Sequence, residues 1–504
     1  MYKIFKGFHL VEAYHEFKKA KRLTKNQTVA RCIKLAIAMI VALVLWFLPI
    51  DSYGIEGLTI IEQRLISIFI FATLMWIFEA IPAWTTSVLI VVLLLLSVSD
   101  SSLWLFTENI PTEELGKAVK YKSIMHCFAD PIIMLFIGGF ILAIAATKSG
   151  LDVLLARVML QPFGTQSRYV LLGFILVTAV FSMFLSNTAT AAMMLTFLTP
   201  VLKALPADGK GKIGLAMAIP VAANVGGMGT PIGTPPNAIA LKYLNDPEGL
   251  NLNIGFGEWM SFMLPYTIVV LFIAWFILLR LFPFKQKNIE LKIEGKAKKD
   301  WRSIVVYITF TITVLLWMFD KFTGVNSNVV AMIPVAVFCV TGIITKRDLE
   351  EISWSVLWMV AGGFALGVAL QETGLAKHMI EAIPFETWPP VLMIVGSGLI
   401  CYAMANFISH TATAALLVPI LAIAGSSMRE NLSSLGGVET LLIGVAIGSS
   451  LAMILPISTP PNALAHATGM IEQKDMEKVG ILMGIVGLIL GYSMLVILGS
   501  NGIL

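Results

Sequence analysis

Charged residues are scarce in this chain. Only 13% of its 504 residues are Asp, Glu, Lys or Arg, whereas an ordinary globular domain carries about 25%. Hydrophobic residues make up 57% of the chain, and the mean hydropathy is +0.85. Because the apolar residues lie in repeated runs, too little polar surface remains for a soluble enzyme, a disordered chain or a soluble domain on a single anchor. The composition predicts a polytopic all-α membrane protein.

Paired cysteines and a strong net charge are also missing. The four cysteines lie in or beside apolar runs without paired spacing, at Cys32, Cys127, Cys339 and Cys401. This spacing gives neither a disulfide framework nor a CxxC metal knuckle, so we expect the cysteines to pack among the helices. The net charge of +4 is small and indicates no nucleic-acid partner.

Apolar runs of spanning length occur along most of the chain. A helix that crosses a bilayer needs about 20 mostly apolar residues. Two further stretches, 168–204 and 389–426, are interrupted near the middle by polar clusters, and we interpret them as re-entrant hairpins. The first run follows a basic leader without a convincing cleavage site, so we take it as a retained span. The eleven predicted spans lie near 33–50, 58–81, 83–98, 130–148, 213–243, 260–283, 303–319, 327–345, 354–371, 438–468 and 478–500.

The distribution of charge predicts the orientation in the plasma (inner) membrane. The basic leader 1–32, with an interfacial helix, and the Lys-rich linker 285–300 are placed in the cytoplasm by the positive-inside rule. The acidic stretch 100–114 is placed outside. These assignments agree only if both interrupted stretches return to the side from which they entered.

Four short motifs recur in the same order, each 223 to 225 residues later. Gly-Gly-Phe occurs at 138 and 362, and Gly-Leu at 150 and 374. Ser186-Asn187-Thr188 recurs as Ser409-His410-Thr411, and Thr-Pro-Pro-Asn occurs at 234 and 459. Four ordered matches at a near-constant offset indicate an internal repeat.

The repeat predicts the domain organisation. An extra first span covers 33–57. The first repeat covers 58–284, with its hairpin at 168–204 and its broken helix at 213–243. The second covers 301–504, with its hairpin at 389–426 and its broken helix at 438–468. Because each unit crosses the membrane an odd number of times, the second copy is expected to be inverted, which is typical of secondary transporters.

The polar cluster in each hairpin is costly in lipid unless its groups find partners. At an unwound tip, backbone carbonyls together with Ser and Asn oxygens suit a monovalent cation such as sodium. The free amides of the following helix, capped by Ser or Thr, suit an anion. A lone Ser-Asn-Thr cluster would be read as interhelical hydrogen bonding. Its repetition beside a second motif favours a binding site.

Each Thr-Pro-Pro-Asn motif predicts a helix break. Proline lacks an amide and cannot continue a helix, but it is well tolerated at the first helical position. We therefore expect breaks near 229–237 and 458–462. Glycines at 226, 227, 229 and 233 allow the backbone to approach closely at the first break. A single copy could be an ordinary kink, whereas two hairpin tips and two breaks together predict a site at mid-membrane.

These motifs resemble those of the divalent anion:sodium symporter family, the sodium-coupled carriers of dicarboxylates, citrate and sulfate. The resemblance covers about 33–500 and includes Glu79-Ala80-Ile81-Pro82 near its start. It implies a homodimer of elevator-type transporters. In each protomer the hairpins and broken helices would move against a scaffold.

Carried over residue by residue, the resemblance implies a first sodium site at Ser182, Ser186, Asn187 and Gly233. It implies that the carboxylates of a small anionic substrate meet eight residues: Asn187, Thr188, Thr234, Ser409, His410, Thr411, Thr459 and Pro460. The cofactors implied are sodium ions, with no organic cofactor.

The second sodium site departs from the family pattern. His410 stands where the family usually has Asn, and Ala405 where a hydroxyl is common, so that only His410 and Ser458 remain of a degenerate site. A nearby dianion could protonate a histidine, whose ordinary pKa is about 6.5. His410 would then replace the second sodium, giving proton coupling or dicarboxylate exchange. Equally, His410 could be neutral and hydrogen-bonded at the tip.

Other function classes fit less well. No HExxH or GxSxG motif is present, so a membrane protease is disfavoured. A channel needs a continuous pore lining, and a sodium/proton exchanger usually places a carboxylate among its broken helices. Sulfate remains the main alternative substrate, with Thr188 and Thr411 favouring a ligand that has two carboxylates. We expect a C4-dicarboxylate such as succinate or malate.

Overall fold

The computed structural model is helical throughout the residues it describes, where the only β-pairing is two isolated bridges. The interfacial helix predicted in the leader, Glu79 and most of the 285–300 linker lie outside the described residues. Nine helices of the described chain are long and apolar enough to span a membrane, or ten if one bent pair counts as a span. The described residues are 25–78, 80–108, 110–205, 209–247, 249–289, 300–382 and 388–502.

Most of the principal helices follow one another with short connections. Helical segments of four to six residues lie between some of them, at Thr112–Leu115, Tyr121–His126, Asp320–Thr323, Ser327–Val330, Lys346–Leu349 and Arg429–Leu432. The principal helices are α1 Lys25–Phe47, α2 Ile60–Phe78, α3 Ala83–Ser97, α4 Pro131–Ser149, α5 Leu151–Leu160, α6 Ser167–Phe184, α7 Asn187–Ala204, α8 Gly211–Gly227, α9 Pro235–Leu244, α10 Phe256–Leu281, α11 Trp301–Met318, α12 Met332–Val340, α13 Trp354–Thr373, α14 Leu375–Ala382, α15 Ser397–Phe407, α16 His410–Ser427, α17 Gly437–Ser450, α18 Pro460–Ala467 and α19 Gln473–Ser500.

Each of the eleven predicted spans contains helix, which confirms the all-α membrane fold. The nine spanning helices are not nine of the eleven predicted spans. Four predicted spans contain no single helix of spanning length, and two helices of the interrupted stretches, Ser167–Phe184 and His410–Ser427, are long enough to be counted. The predicted spans 213–243 and 438–468 are each divided into two shorter helices, α8 with α9 and α17 with α18. Both interrupted stretches contain two helices that pack against each other, α6 with α7 and α15 with α16, as in a hairpin.

The same order of elements occurs twice. Helices α4 to α10 and α13 to α19 each run as a long helix, a short helix, a hairpin, a broken helix and a final long helix. The repeated glycines Gly150 and Gly374 end α4 and α13 with φ of 71° and 93°, a left-handed conformation that favours glycine. The inverted orientation of the second copy stays a prediction.

Small residues bring the broken helices close to the hairpins. Helix α8 packs against α6 and α7, just as α17 packs against α15 and α16. A Cβ atom on Gly226 would lie 2.5 Å from Cα of Ala179, so the backbones of α6 and α8 meet directly there. This approach holds the first hairpin tip against the first break.

Candidate functional site

Both hairpin tips are two-residue interruptions that a serine closes. Two residues separate Phe184 from the start of α7, and the N-cap Ser186 accepts a hydrogen bond of 3.2 Å from the amide of Ala189. At the second tip Ser409 caps α16 in the same way, accepting 3.2 Å from the amide of Ala412. The remaining amides of the first turns have no helical partner and carry partial positive charge.

An asparagine holds each broken helix. These are the asparagines of the two Thr-Pro-Pro-Asn motifs, and each donates to backbone carbonyls of the unwound segment. Asn237 Nδ2 lies 2.8–3.2 Å from three carbonyl oxygens of the first break, those of Gly227, Met228 and Thr230. Asn462 Nδ2 lies 2.9 and 3.1 Å from two carbonyls of the second break, those of Met453 and Leu455.

The second break is longer than the sequence indicates. We expected it near 458–462, but α17 ends at Ser450 and α18 begins at Pro460. Side chains of the second hairpin form hydrogen bonds with the unwound backbone. His410 Nε2 lies 2.7 Å from the Ala452 carbonyl, and the Ile454 amide donates to Asn406 Oδ1 over 2.8 Å.

The helices that begin at the two tips pack against the helices that follow the two breaks. These four helices are α7, α9, α16 and α18, which start at Asn187, Pro235, His410 and Pro460. Helix α7 packs against α18, α9 packs against α16, and α8 contacts α18. No Lys or Arg lies within either tip or either break. The polarity of this region therefore comes from helix dipoles, backbone groups and neutral side chains.

The first tip gathers three oxygens around the buried Ser182. Ser182 Oγ lies 2.5 Å from Asn187 Oδ1 and 2.7 Å from the Ala223 carbonyl oxygen. These three oxygens share the single hydroxyl hydrogen of Ser182, so at least one contact lacks a hydrogen. A cation is the partner that an oxygen cluster of this kind accommodates.

Glycines border the oxygen cluster at the first tip. A Cβ atom on Gly227 would lie 2.9 Å from Asn187 Oδ1, and one on Gly233 would lie 2.4 Å from the Gly227 carbonyl. The structure therefore brings Ser182, Asn187 and Gly233 together, with Ser186 beside them as the cap of α7. These are the four residues of the predicted first sodium site.

At the second tip, the side chains of His410 and Ser458 each donate a hydrogen bond to an acceptor. Because a carbonyl only accepts, His410 Nε2 carries the hydrogen that bonds to Ala452. Ser458 Oγ donates to the Asn406 carbonyl over 2.9 Å and accepts from the Leu455 amide over 3.1 Å. The two residues predicted for the degenerate second site, His410 and Ser458, thus each form hydrogen bonds with backbone groups of the second break or the second hairpin.

Sequence reasoning missed two asparagines of this region. Asn406 lies next to Ala405 in the second hairpin, and Asn224 lies near the end of α8; their exposed fractions are 3% and 1%. The available signal was an isolated amide side chain within each apolar run, close to a tip or a break. Among the predicted substrate residues, Thr234, Thr411 and Thr459 are buried, Ser409 is half-buried, and Thr188 and Pro460 are exposed.

An apolar cavity within the described residues lies away from this region. It has a volume of about 170 Å³ and lies between α2, α13, α14 and α16. Its residues on α16 begin ten positions after His410, roughly 15 Å along the helix. The lining is entirely apolar, with Ile66, Phe69, Ile70, Leu370, Leu375, Ile420 and Ile423, so it does not suit an anion.

Comparison with known proteins assigns the family. The family model described as the sodium:sulfate symporter transmembrane region matches residues 29–501. The chain belongs to this family. It is therefore a multi-pass membrane transporter and not an enzyme, as the resemblance of its motifs implies.

Proteins of similar sequence are also named as transporters. An uncharacterised transporter of Haemophilus influenzae is 31% identical over 481 residues, covering 90% of this chain and 95% of that protein. The sodium-dependent dicarboxylate transporter SdcS of Staphylococcus aureus (strain USA300) is 30% identical over 471 residues, covering 84% and 85%. The SdcS protein of Staphylococcus saprophyticus is 28% identical over 515 residues, covering 94% and 93%.

A solved structure shares the fold. The crystal structure of the Alcanivorax borkumensis YdaH transporter covers 83% of this chain and 98% of its own, with a TM-score of 0.55 and 13% identity. At that identity the likeness concerns the arrangement of helices alone.

Proposed function

We propose that this transporter moves a C4-dicarboxylate, such as succinate or malate, across the plasma membrane together with sodium. The observation that carries the proposal is the cluster of three oxygens sharing one hydrogen at the first tip. It lies at the start of α7, one of the four helix N-termini that we propose surround the substrate. Family membership and relatives named sodium-dependent dicarboxylate transporters support the same conclusion.

In this proposal a sodium ion binds at the first tip. Its ligands are oxygens of Ser182, Ser186, Asn187 and Gly233. The bound ion relieves the contact between Ser182 and Asn187 and adds one positive charge beside the substrate. Each helix N-terminus contributes about half a charge, so the four starts together match roughly the two charges of a dianion.

The dianion binds between the two tips and the two breaks. Threonines at equivalent positions of the two tips suit a ligand with an anionic group at each end. This pairing favours a dicarboxylate over sulfate. The substrate residues proposed are Asn187, Thr188, Thr234, Ser409, His410, Thr411, Thr459 and Pro460.

A second candidate function follows from His410. Its ring N–H already satisfies the Ala452 carbonyl, an oxygen that a second sodium could otherwise use. His410 would then stand in the place of that ion, and the protein would exchange dicarboxylates without sodium or with a proton.

Uptake of labelled succinate into proteoliposomes tests the proposed function. One set of vesicles is empty with an inward sodium gradient, a second has choline in place of sodium, and a third is preloaded with unlabelled succinate. Sodium-dependent accumulation in empty vesicles supports symport. Uptake only into preloaded vesicles, indifferent to sodium, supports exchange. Failure of succinate uptake in all sets, with labelled sulfate accumulating instead, would make sulfate the substrate.

An elevator movement would break contacts between the two parts of the protein. Lys242 at the end of α9 pairs with Asp130, which caps α4, and Lys242 Nζ lies 4.0 Å from the centroid of the Phe364 ring. In this proposal α9 moves while α4 belongs to the scaffold.

The protein is also proposed to be a homodimer. Light scattering of the purified protein measures its molecular mass and so tests this proposal.

Cysteine cross-linking tests the movement. Cysteines replace Lys242 and Asp130 in a chain without its native cysteines, and reducible cross-linkers of graded length join them. We expect uptake to stop and to return on reduction. Cysteines at Lys148 and Asp348, an ion pair of 2.6 Å between two scaffold segments, are the control. Cross-linking that pair should leave uptake within about twofold, whereas unchanged uptake with the first pair would contradict the elevator.

A further inference from the structure

Asn224 connects the two broken helices. It lies three residues before the end of α8, and its side chain is buried. Its Nδ2 lies 3.3 Å from Thr459 Oγ1 and 3.2 Å from Asn462 Oδ1, two residues of the second break. A side chain of the first repeat therefore contacts the Thr-Pro-Pro-Asn motif of the second.

The hydrogen-bond pattern fixes which way the Asn224 carboxamide points. Asn462 uses its NH₂ group on two backbone carbonyls of the second break, so its Oδ1 must be the atom that faces Asn224. An oxygen there accepts only from a donor, and Asn224 must present its NH₂ group to it. The orientation of Asn224 is thus set by its partners.

The same pattern fixes the role of Thr459. Thr459 Oγ1 accepts a hydrogen bond from the backbone N–H of Asn462 over 3.2 Å and another from Asn224 Nδ2 over 3.3 Å. A hydroxyl group has two acceptor positions and one hydrogen. With both acceptor positions used, only the hydrogen of Thr459 remains available.

We infer that Asn224 is a positioning residue for the substrate: it makes Thr459 a donor aimed at an anionic oxygen and unsuitable as a cation ligand. The inference rests on the proposed function, because it assigns Thr459 to the dianion. It also makes the affinity for substrate depend on a contact between the two repeats. The second break is organised in this way for the anion, while the cation is held at the first tip.

The residue equivalent to Asn224 in the second repeat supplies a control. Ser449 lies 225 positions later, and its hydroxyl donates back to carbonyls of its own helix, Val445 at 2.9 Å and Ala446 at 3.1 Å. It makes no contact of this kind with the first break in the described chain. Because the fold accepts serine at this buried position, Asn224→Ser is a suitable variant, with Asn224→Ala as a second one.

A double-mutant cycle with Thr459→Val tests the inference. Asn224→Ser and Thr459→Val should each raise the KM for succinate about tenfold, the loss expected for one hydrogen bond to a charged group. The double variant should show the same tenfold rise, since Asn224 acts through the Thr459 hydroxyl. The sodium concentration for half-maximal uptake should stay within about threefold. Ser449→Ala should leave both values within about twofold.

Two results would overturn the inference. One is an unchanged KM in both Asn224→Ser and Asn224→Ala, and the other is a rise of about a hundredfold in the double variant, which would mean independent effects. The proposed dicarboxylate function fails separately, if wild-type protein takes up sulfate but no succinate. The cycle is then measured with sulfate, whose oxygens need the same donor.

Discussion

The two hairpin tips have the same backbone arrangement but differ in their hydrogen-bond donors. At the first tip, three oxygens around Ser182 share one hydrogen. At the second tip, the N–H of His410, the hydroxyl of Ser458 and the amide of Ile454 each meet an acceptor. The comparison indicates that a repeated motif need not repeat its ligand. In the proposed function a cation completes the first tip, whereas at the second tip the protein's own donors face acceptors.

Two substitutions account for the difference. Ala405 occupies the position equivalent to Ser182, and His410 the position equivalent to Asn187. Together they remove two side-chain oxygens and add an N–H donor. The surrounding frame is kept, because Asn237 and Asn462 hold equivalent carbonyls in the two breaks.

Removing oxygens from the first tip should give the largest effect. Ser182→Ala or Asn187→Ala deletes a proposed sodium ligand. The sodium concentration for half-maximal uptake should then rise roughly 10- to 100-fold, as for the loss of a bond to a charged group. Uptake measured against sodium concentration checks this. The matched control is Ala405→Ser, which adds the same hydroxyl at the second tip and should change the value less than about twofold. Equal effects at the two tips would contradict the comparison.

Replacing His410 by the asparagine found at the equivalent position of the first tip should have an intermediate effect on the sodium dependence of uptake. In His410→Asn the Ala452 carbonyl loses its donor and the second tip gains an oxygen, so uptake should depend more steeply on sodium. If wild-type His410 acts as a cation, uptake should fall as the pH rises through the range in which the ring loses its proton. His410→Asn should abolish that fall. Uptake is measured against sodium at several pH values. Unchanged sodium and pH dependence would exclude His410 as a substitute for sodium.

Loosening the second network should give the smallest effect. Ser458→Gly copies Gly233 of the first break and removes the bonds to Asn406 and Leu455. The free energy of unfolding should fall by about 1–2 kcal/mol, lowering the thermal midpoint of a chain of this length by roughly 1–2 °C. Sodium dependence should not change. A loss of sodium coupling in this variant would mean that the second tip also binds the ion.

The sequence predicted those parts of the site that depend on local chemistry. Ser186 and Ser409 cap helices, and the prolines at 235 and 460 start them, because caps and prolines act within one turn. Asn406 and Asn224 were missed because their partners are distant in sequence. Asn406 receives the Ile454 amide 48 residues away, and Asn224 meets Thr459 at a separation of 235. Nothing in the local pattern around either asparagine specifies such a partner.

The early start of the second break has the same origin. Its unwound backbone is stabilised by His410 and Asn406 of the hairpin, so the folded hairpin decides where α17 ends. The first break remained close to its predicted place, since its turn is held mainly from within by Asn237.

Sodium-dependent thermal stability tests the central claim most directly, because a ligand that binds only the folded protein raises its unfolding midpoint. Purified wild-type protein, Ser182→Ala and His410→Ala are unfolded in sodium chloride and in choline chloride of equal ionic strength. We expect sodium to raise the midpoint of the wild type and of His410→Ala, and to leave that of Ser182→Ala unchanged. A full sodium shift in Ser182→Ala, or its loss in His410→Ala alone, would contradict a cation site at the first tip.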